Sequence, residues 1–100
     1  MKILLVCAGG MSTSLLVKKM EEYWSEEGIP LAVKAVGLGQ YKEQANDYDM
    51  ILLGPQVRYR LNEIKTLTKM PCATIDSMAY AMGDCPVIMK LAQKLLAEME

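Results

Sequence analysis

The stretch that most constrains this chain is Val6-Cys7-Ala8-Gly9-Gly10-Met11-Ser12-Thr13-Ser14. It follows an apolar run, Ile3-Leu4-Leu5-Val6, and leads into a helical pattern that begins at Leu15-Leu16. A strand that turns through small residues into a helix leaves unpaired backbone N–H groups facing the turn. Gly9 and Gly10 let the backbone curl without Cβ clashes, and Ser12, Thr13 and Ser14 add hydroxyl donors. Such a ring of donors at a helix N-terminus suits a phosphate-sized anion. Cys7 stands at its mouth, where the same positive field favours the thiolate form. A cysteine ending a buried strand is often a small core residue, and Gly-Gly is often only a turn. Here strand, cysteine, two glycines, three hydroxyl residues and helix come in the order that phosphoryl chemistry needs, so Cys7 reads as a residue that carries or attacks a phosphoryl group.

Composition narrows the alternatives. One hundred residues fit a single domain spanning positions 1–100, and 52% hydrophobic against 23% charged residues is enough to bury a core. The net charge of −1, with both signs interspersed, argues against a nucleic-acid surface. No apolar run approaches the ~18 residues of a membrane span, and the N-terminus does not resemble a signal peptide, so a soluble cytoplasmic chain is expected. Cys7, Cys72 and Cys85 make an odd count, with no CxxC pair and no histidine, against a disulfide scaffold or a metal site. The missing histidine also removes the usual base partner of cysteine hydrolases.

Strands are expected at residues 2–6, 31–36, 50–53 and 72–75, each a short apolar run. Helical periodicity covers residues 12–27, with Leu15, Leu16, Met20, Tyr23 and Trp24 on one stripe, and Gly28 and Pro30 close it. Residues 40–46 form a weak helix or irregular crossover. Residues 57–69 place Val57, Leu61, Ile64 and Leu67 on one face. Asp76 or Ser77 caps a short helix through Ala81. Pro86 opens a last helix to about Met99, with Val87, Leu91, Leu95 and Leu96 inward. The alternation predicts a single α/β domain, a four-stranded parallel sheet with helices on both faces. Ligands of such sheets bind beyond the carboxyl ends of the strands, which gathers residues 7–14, 37–39, 54–59 and 76–80 around one pocket.

With those residues in view, the chain resembles the IIB subunits of the sugar phosphotransferase system (PTS), lactose/cellobiose class. The resemblance runs end to end and rests on the stretch from Leu5 to Leu16, on Leu52-Leu53-Gly54-Pro55-Gln56-Val57, and on Ile75-Asp76 followed by Tyr80. Many relatives carry another small residue where this chain has Gly9. The resemblance implies a phosphate-binding loop after the first strand, as in low-molecular-weight tyrosine phosphatases, and no cofactor. It implies that Cys7 accepts a phosphoryl group from a phosphohistidine on a IIA protein. The group then passes to a disaccharide of cellobiose, lactose or chitobiose type, bound by the membrane IIC permease. Ala8, Gly9, Gly10, Met11, Ser12, Thr13 and Ser14 would form the cradle, mostly through backbone N–H groups. A monomer is the simplest expectation for a carrier that faces two partners in turn.

Two other classes compete. A phosphatase or arsenate reductase of similar fold needs an arginine six residues after its cysteine, and Thr13 stands there; Asp84-Cys85-Pro86 is the nearest approach to a late Asp-Pro acid. A passive anion-binding module lacks the expected signatures, since neither Gly-Lys-Ser/Thr nor G-x-G-x-x-G is present. Among accessory candidates, Arg58 and Arg60, interleaved with Tyr59, read either as a solvated helix start or as a docking patch. Tyr80 reads as a pocket border or a core cap, and the resemblance favours a bond from Gln56 to the Cys7 loop. Met11 is a candidate apolar contact for a partner, Cys72 reads as buried packing, Cys85 as a turn residue without a role, and Tyr23 and Trp24 as core.

Overall fold

The computed structural model describes residues 1–8 and 11–98, and for residues 11–13 the backbone alone. Four strands, β1 (Lys2–Val6), β2 (Ala32–Val36), β3 (Met50–Leu53) and β4 (Cys72–Thr74), pair in parallel in the order β2-β1-β3-β4. The connecting helices are α1 (Met11–Glu26), α2 (Tyr41–Gln44), α3 (Leu61–Thr68), α4 (Ser77–Met82) and α5 (Cys85–Glu98). This is the expected α/β domain. Val6 is opposite Val36 on one side and Leu53 on the other, so β1 is hydrogen-bonded along both edges.

The continuous apolar runs of the inner strands follow from what covers them. Successive side chains of a strand point to opposite faces, so a strand covered on both faces needs apolar residues at every position. Ile3 and Leu5 of β1, with Met50 and Leu52 of β3, pack against Leu16, Met20 and Trp24 of α1 and Ile88 and Ala92 of α5. Leu4, Val6, Ile51 and Leu53 pack on the other face, against Tyr41, Ala45, Val57 and Ile64. Each such side chain fully removed from water contributes about 1.5–3 kcal/mol relative to an exposed one.

The chain leaves β1 through α1 on one face and returns from β2 to β3 on the other. That reversal of direction opens a crevice between the carboxyl ends of β1 and β3. Helix boundaries are set locally. Gly28 adopts φ 73° and ends α1, a left-handed conformation that costs a glycine little. The Asp76 carboxylate accepts from the backbone N–H groups of Met78 (3.1 Å) and Ala79 (3.2 Å) at the start of α4, and Gly83 closes that helix.

Several expectations are corrected. The region 57–69 is not one helix: a 3-10 stretch, Pro55–Arg60, precedes α3, and Val57 departs from helical dihedrals (φ −115°, ψ 15°). This break shifts the phase of the apolar stripe, so Val57 and Ile64 are buried while Leu67 is exposed. Leu15 and Val87, expected to face inward, are exposed: the next residues, Leu16 and Ile88, take the core face, and a rotation of about 100° per residue turns Leu15 and Val87 away from it. Ile88, Met89 and Ala92 take the place expected of Val87 in α5. Cys85 is buried at the first position of α5 rather than exposed in a turn. Tyr23 is half-buried and edges onto the buried Trp24 ring, 6.1 Å between centroids.

The capping carboxylate has a measurable role. Asp76→Ala is expected to cost about 1 kcal/mol, lowering Tm by roughly 4–8 °C for a domain of this size. Asp76→Asn, which can still accept from the same amides, should melt close to the native protein in thermal unfolding followed by circular dichroism.

Candidate functional site

Cys7 is the first residue past β1. Its backbone N–H donates to the Val36 carbonyl at 3.0 Å and its thiol lies 3.6 Å from the same oxygen. The residue is 3% exposed. On the neighbouring strand Gly54 occupies the equivalent place, its N–H donating to the Val6 carbonyl at 2.9 Å. Cys7 therefore extends the β1–β2 ladder, and Gly54 the β1–β3 ladder, by one step each toward the crevice where the direction of the chain reverses.

Gly54 is where the candidate residues meet. Its dihedrals, φ −65° and ψ 150°, are open to any residue. A Cβ here would stand 3.0 Å from Gln56 Oε1, 3.4 Å from Tyr80 Cε2 and 3.6 Å from the Cys7 Cβ. What limits a side chain here is space rather than backbone conformation: the Gln56 amide would have to give way, while Tyr80 and Cys7 would be met at ordinary contact. Side chains from three separate segments, Cys7 after β1, Gln56 after β3 and Tyr80 in α4, converge on the volume that its missing side chain leaves. An open cleft of about 620 Å³ begins there and is lined by Gln56, Arg58, Tyr59, Ser77 and Tyr80. A smaller hollow of about 120 Å³ lies on the other side of Tyr80, between it and Leu16, Lys19 and Gly83.

The remaining candidates divide. Arg58 borders the cleft and is exposed, whereas Arg60 is turned aside by an ion pair with Glu63 that also raises the guanidinium pKa. Ala8 is exposed at the bend after Cys7, and Ser14 is exposed in the first turn of α1. Gly9, Gly10 and the side chains of Met11, Ser12 and Thr13 lie outside the described residues, so the expected cradle is represented by Ala8, Ser14 and the helical backbone of residues 11–13. That helix begins at Met11, one residue earlier than expected, with no acidic residue in its first turn. Gly37 and Gly39 face open space and make no close approach.

Sequence reasoning placed Gly54 at the end of a strand and in the pocket-lining segment 54–59, but missed that Cys7, Gln56 and Tyr80 meet over it. It also missed Lys19, which lines the smaller hollow. No local signal marks these positions, because their roles arise from contacts between segments far apart in the chain. Tyr59, Met78 and Met82, together with Leu15, put large exposed apolar side chains around this edge. Among the described residues no group of three or more His, Cys, Asp or Glu side chains converges to hold a metal ion. No helix of the described residues is long and apolar enough to cross a membrane.

The other two cysteines are buried away from this chemistry. Burial pushes the Cys72 thiol above its ordinary pKa, opposed by a Thr68 hydrogen bond and the Lys65 charge. Burial also raises Cys85, opposed by Lys19 and reinforced by Asp84 and Glu22. A thiol whose folded pKa is raised stabilises the fold below its unfolded pKa, and that contribution is lost as pH climbs through the folded one. Urea-unfolding midpoints are therefore expected to fall as pH rises above the ordinary thiol value of 9.0. A Cys72→Ala/Cys85→Ala protein should show a flatter dependence, whatever its stability at neutral pH.

Comparison with known proteins adds a second line of observation. The profile of the family described as "PTS system, Lactose/Cellobiose specific IIB subunit" matches residues 2–91. The oligo-beta-mannoside-specific EIIB component of Bacillus subtilis (strain 168) is 42% identical over 86 residues, which is 83% of this chain and 84% of that protein. The lactose-specific EIICB component of Lactococcus lactis subsp. lactis is 30% identical over 66 residues; these make up 66% of this chain but 12% of that longer protein. Among solved structures, the cellobiose-specific phosphotransferase IIB component of Borrelia burgdorferi superposes with a TM-score of 0.80 at 31% identity. The match covers 98% of this chain and 93% of that one.

Proposed function

The chain belongs to the lactose/cellobiose-specific IIB family of the sugar phosphotransferase system, whose role is phosphoryl transfer to sugar, and we propose that Cys7 is the residue on which it carries the phosphoryl group. The observation that carries the reading is the position of Cys7 at the end of β1, in the crevice beside β3, directly before the glycine-rich stretch and α1. In the first half-reaction the Cys7 thiolate attacks phosphorus on a phosphohistidine of a IIA protein; the S–P bond forms and the P–N bond breaks. In the second, a sugar hydroxyl oxygen attacks the same phosphorus and gives up its proton, the S–P bond breaks, and sulfur leaves as thiolate. Phosphoryl transfer depends mainly on positioning and on stabilising charge, so a cradle of amides and hydroxyls serves both directions of transfer.

In this reading Ala8, Gly9, Gly10, Met11, Ser12, Thr13 and Ser14 hold the phosphate, mostly through backbone N–H groups. Gln56 and Tyr80 border it, and Arg58 lends positive potential to the cleft through which a partner approaches. The Asp76 carboxylate is held by the amides at the start of α4, which leaves that acidic group engaged away from the phosphate. The donor is a phosphorylated IIA protein and the acceptor a β-linked disaccharide on a membrane IIC permease. Residues 1–100 then act as one cytoplasmic, monomeric IIB domain, presenting one site to two partners in turn.

Incubation with phosphoenolpyruvate, the general phosphotransferase enzymes and a cognate-type IIA protein tests this directly. Intact mass should show one added phosphoryl group on the native chain and none on Cys7→Ser. Phosphorylation of Cys7→Ser, or of neither protein with an active donor chain, would contradict the assignment. Arg58→Glu is expected to slow transfer from IIA by roughly tenfold at low salt, with the gap narrowing as ionic strength rises. Equal rates at every salt concentration would remove Arg58 from the docking path.

A further inference from the structure

A carrier must do something an ordinary phosphatase must not: keep its phosphoryl group from water. Hydrolysis would let a water oxygen attack phosphorus, break the S–P bond, and release inorganic phosphate and the free thiolate. The geometry around Gly54 bears on that competing reaction. The Tyr80 ring edge lies 3.4 Å, and the Cys7 Cβ 3.6 Å, from the point a Gly54 Cβ would occupy. A ring and a thiol-bearing carbon thus share one small gap. Tyr80, with Ala81, also lines both hollows at this edge, the cleft beside Gln56 and the smaller hollow beside Lys19. Cys7 lines neither hollow and is 3% exposed.

The ring is held in place. It stands on α4, a six-residue helix clamped at its start by the Asp76 carboxylate and at its end by Gly83, whose N–H donates toward the Ala79 and Tyr80 carbonyls. Asp84 N–H also donates to Ala79 O at 2.8 Å. Ala79 beneath it is buried in the core shared with α1 and α5. So short a helix, fixed at both ends and pinned at its middle, is a support for a side chain rather than a major contributor to the core.

Resting on the reading of Cys7 as the carrier, we infer that Tyr80 is a positioning residue that shields phosphocysteine from water. Its ring, admitted by the side-chain gap at Gly54, closes the flank of Cys7 and sets how long the phosphoryl group survives between donor and acceptor. Excluding water from a site that handles a reactive group prevents its loss to solvent. The role belongs to the ring, not to the phenol oxygen.

The test follows lifetime rather than transfer. The native chain, Tyr80→Phe, Tyr80→Leu and Tyr80→Ala are phosphorylated through IIA, freed of IIA, and followed by intact mass with no acceptor present. Tyr80→Ala is expected to lose its phosphoryl group about tenfold faster than the native chain, equivalent to roughly 1.4 kcal/mol in the barrier to hydrolysis. Tyr80→Phe should keep the native lifetime, and Tyr80→Leu should fall between them and serve if the alanine variant does not fold. Thermal melts recorded alongside separate loss of shielding from loss of fold, since a shield moves the lifetime in variants whose melts are unchanged. Equal lifetimes in all variants would overturn the shield while leaving Cys7 as carrier. A Tyr80→Phe lifetime as short as that of Tyr80→Ala would also overturn it, by moving the effect to the hydroxyl. A native chain that accepts no phosphoryl group would overturn the carrier reading and the shield together.

Discussion

Everything at this site depends on β1 being paired on both edges. Backbone hydrogen bonding to β2 and β3 fixes where the strand ends, and the Cys7 and Gly54 amides continue those two ladders by one step each. A reactive side chain placed one residue past a doubly paired strand has little freedom to move. Precision of that kind suits phosphoryl transfer, in which little covalent work falls to the protein and most of the catalysis is alignment. The flanking helices are secondary to this. They cover the two faces of β1 and β3, and in doing so they force the chain to reverse direction beside Cys7.

The distribution of charged groups fits a carrier better than a hydrolase. Chains that cleave a phosphoester need a group to activate water or protonate a leaving oxygen. Here Asp76, at the start of the helix that carries Tyr80, has a carboxylate oxygen committed to two backbone amides of α4. Arg60 is likewise committed, to Glu63. Arg58 stays exposed on the cleft wall, among large apolar side chains that a transient partner can cover and release. Family membership supplies the general activity, and the geometry bears on how this chain would perform it.

The fold was largely legible because its strongest signals are local. Ile3-Leu4-Leu5-Val6 and Met50-Ile51-Leu52-Leu53 are apolar at every position, which only a strand covered on both faces requires. The place of Cys7, one residue past such a run, was legible for the same reason. Leu15 and Val87 misled because each stands next to another apolar residue, Leu16 or Ile88, and periodicity does not say which of two adjacent apolar residues faces the core; Leu67 misled because the break at Val57 shifts the phase of its stripe. The break at Val57 was hidden because a 3-10 turn and an α-helix place apolar residues at nearly the same spacing over a single turn. Alternation of strands and helices gathered the segments carrying Cys7, Gln56 and Tyr80 at one sheet edge, but nothing in the sequence put their side chains together over Gly54. That meeting is a fact about three segments, and in sequence Gly54 looks like any glycine after a strand.

The central claim is that a phosphoryl group sits on the Cys7 sulfur inside a cradle of backbone amides. Phosphorus NMR of the phosphorylated chain, paired with amide proton shifts before and after phosphorylation, tests it most directly. The account predicts a phosphorus resonance of thiophosphate type and downfield movement concentrated in the amides of residues 8–14. A resonance of phosphate-ester or phosphohistidine type, or amide shifts centred on another part of the fold, would contradict it.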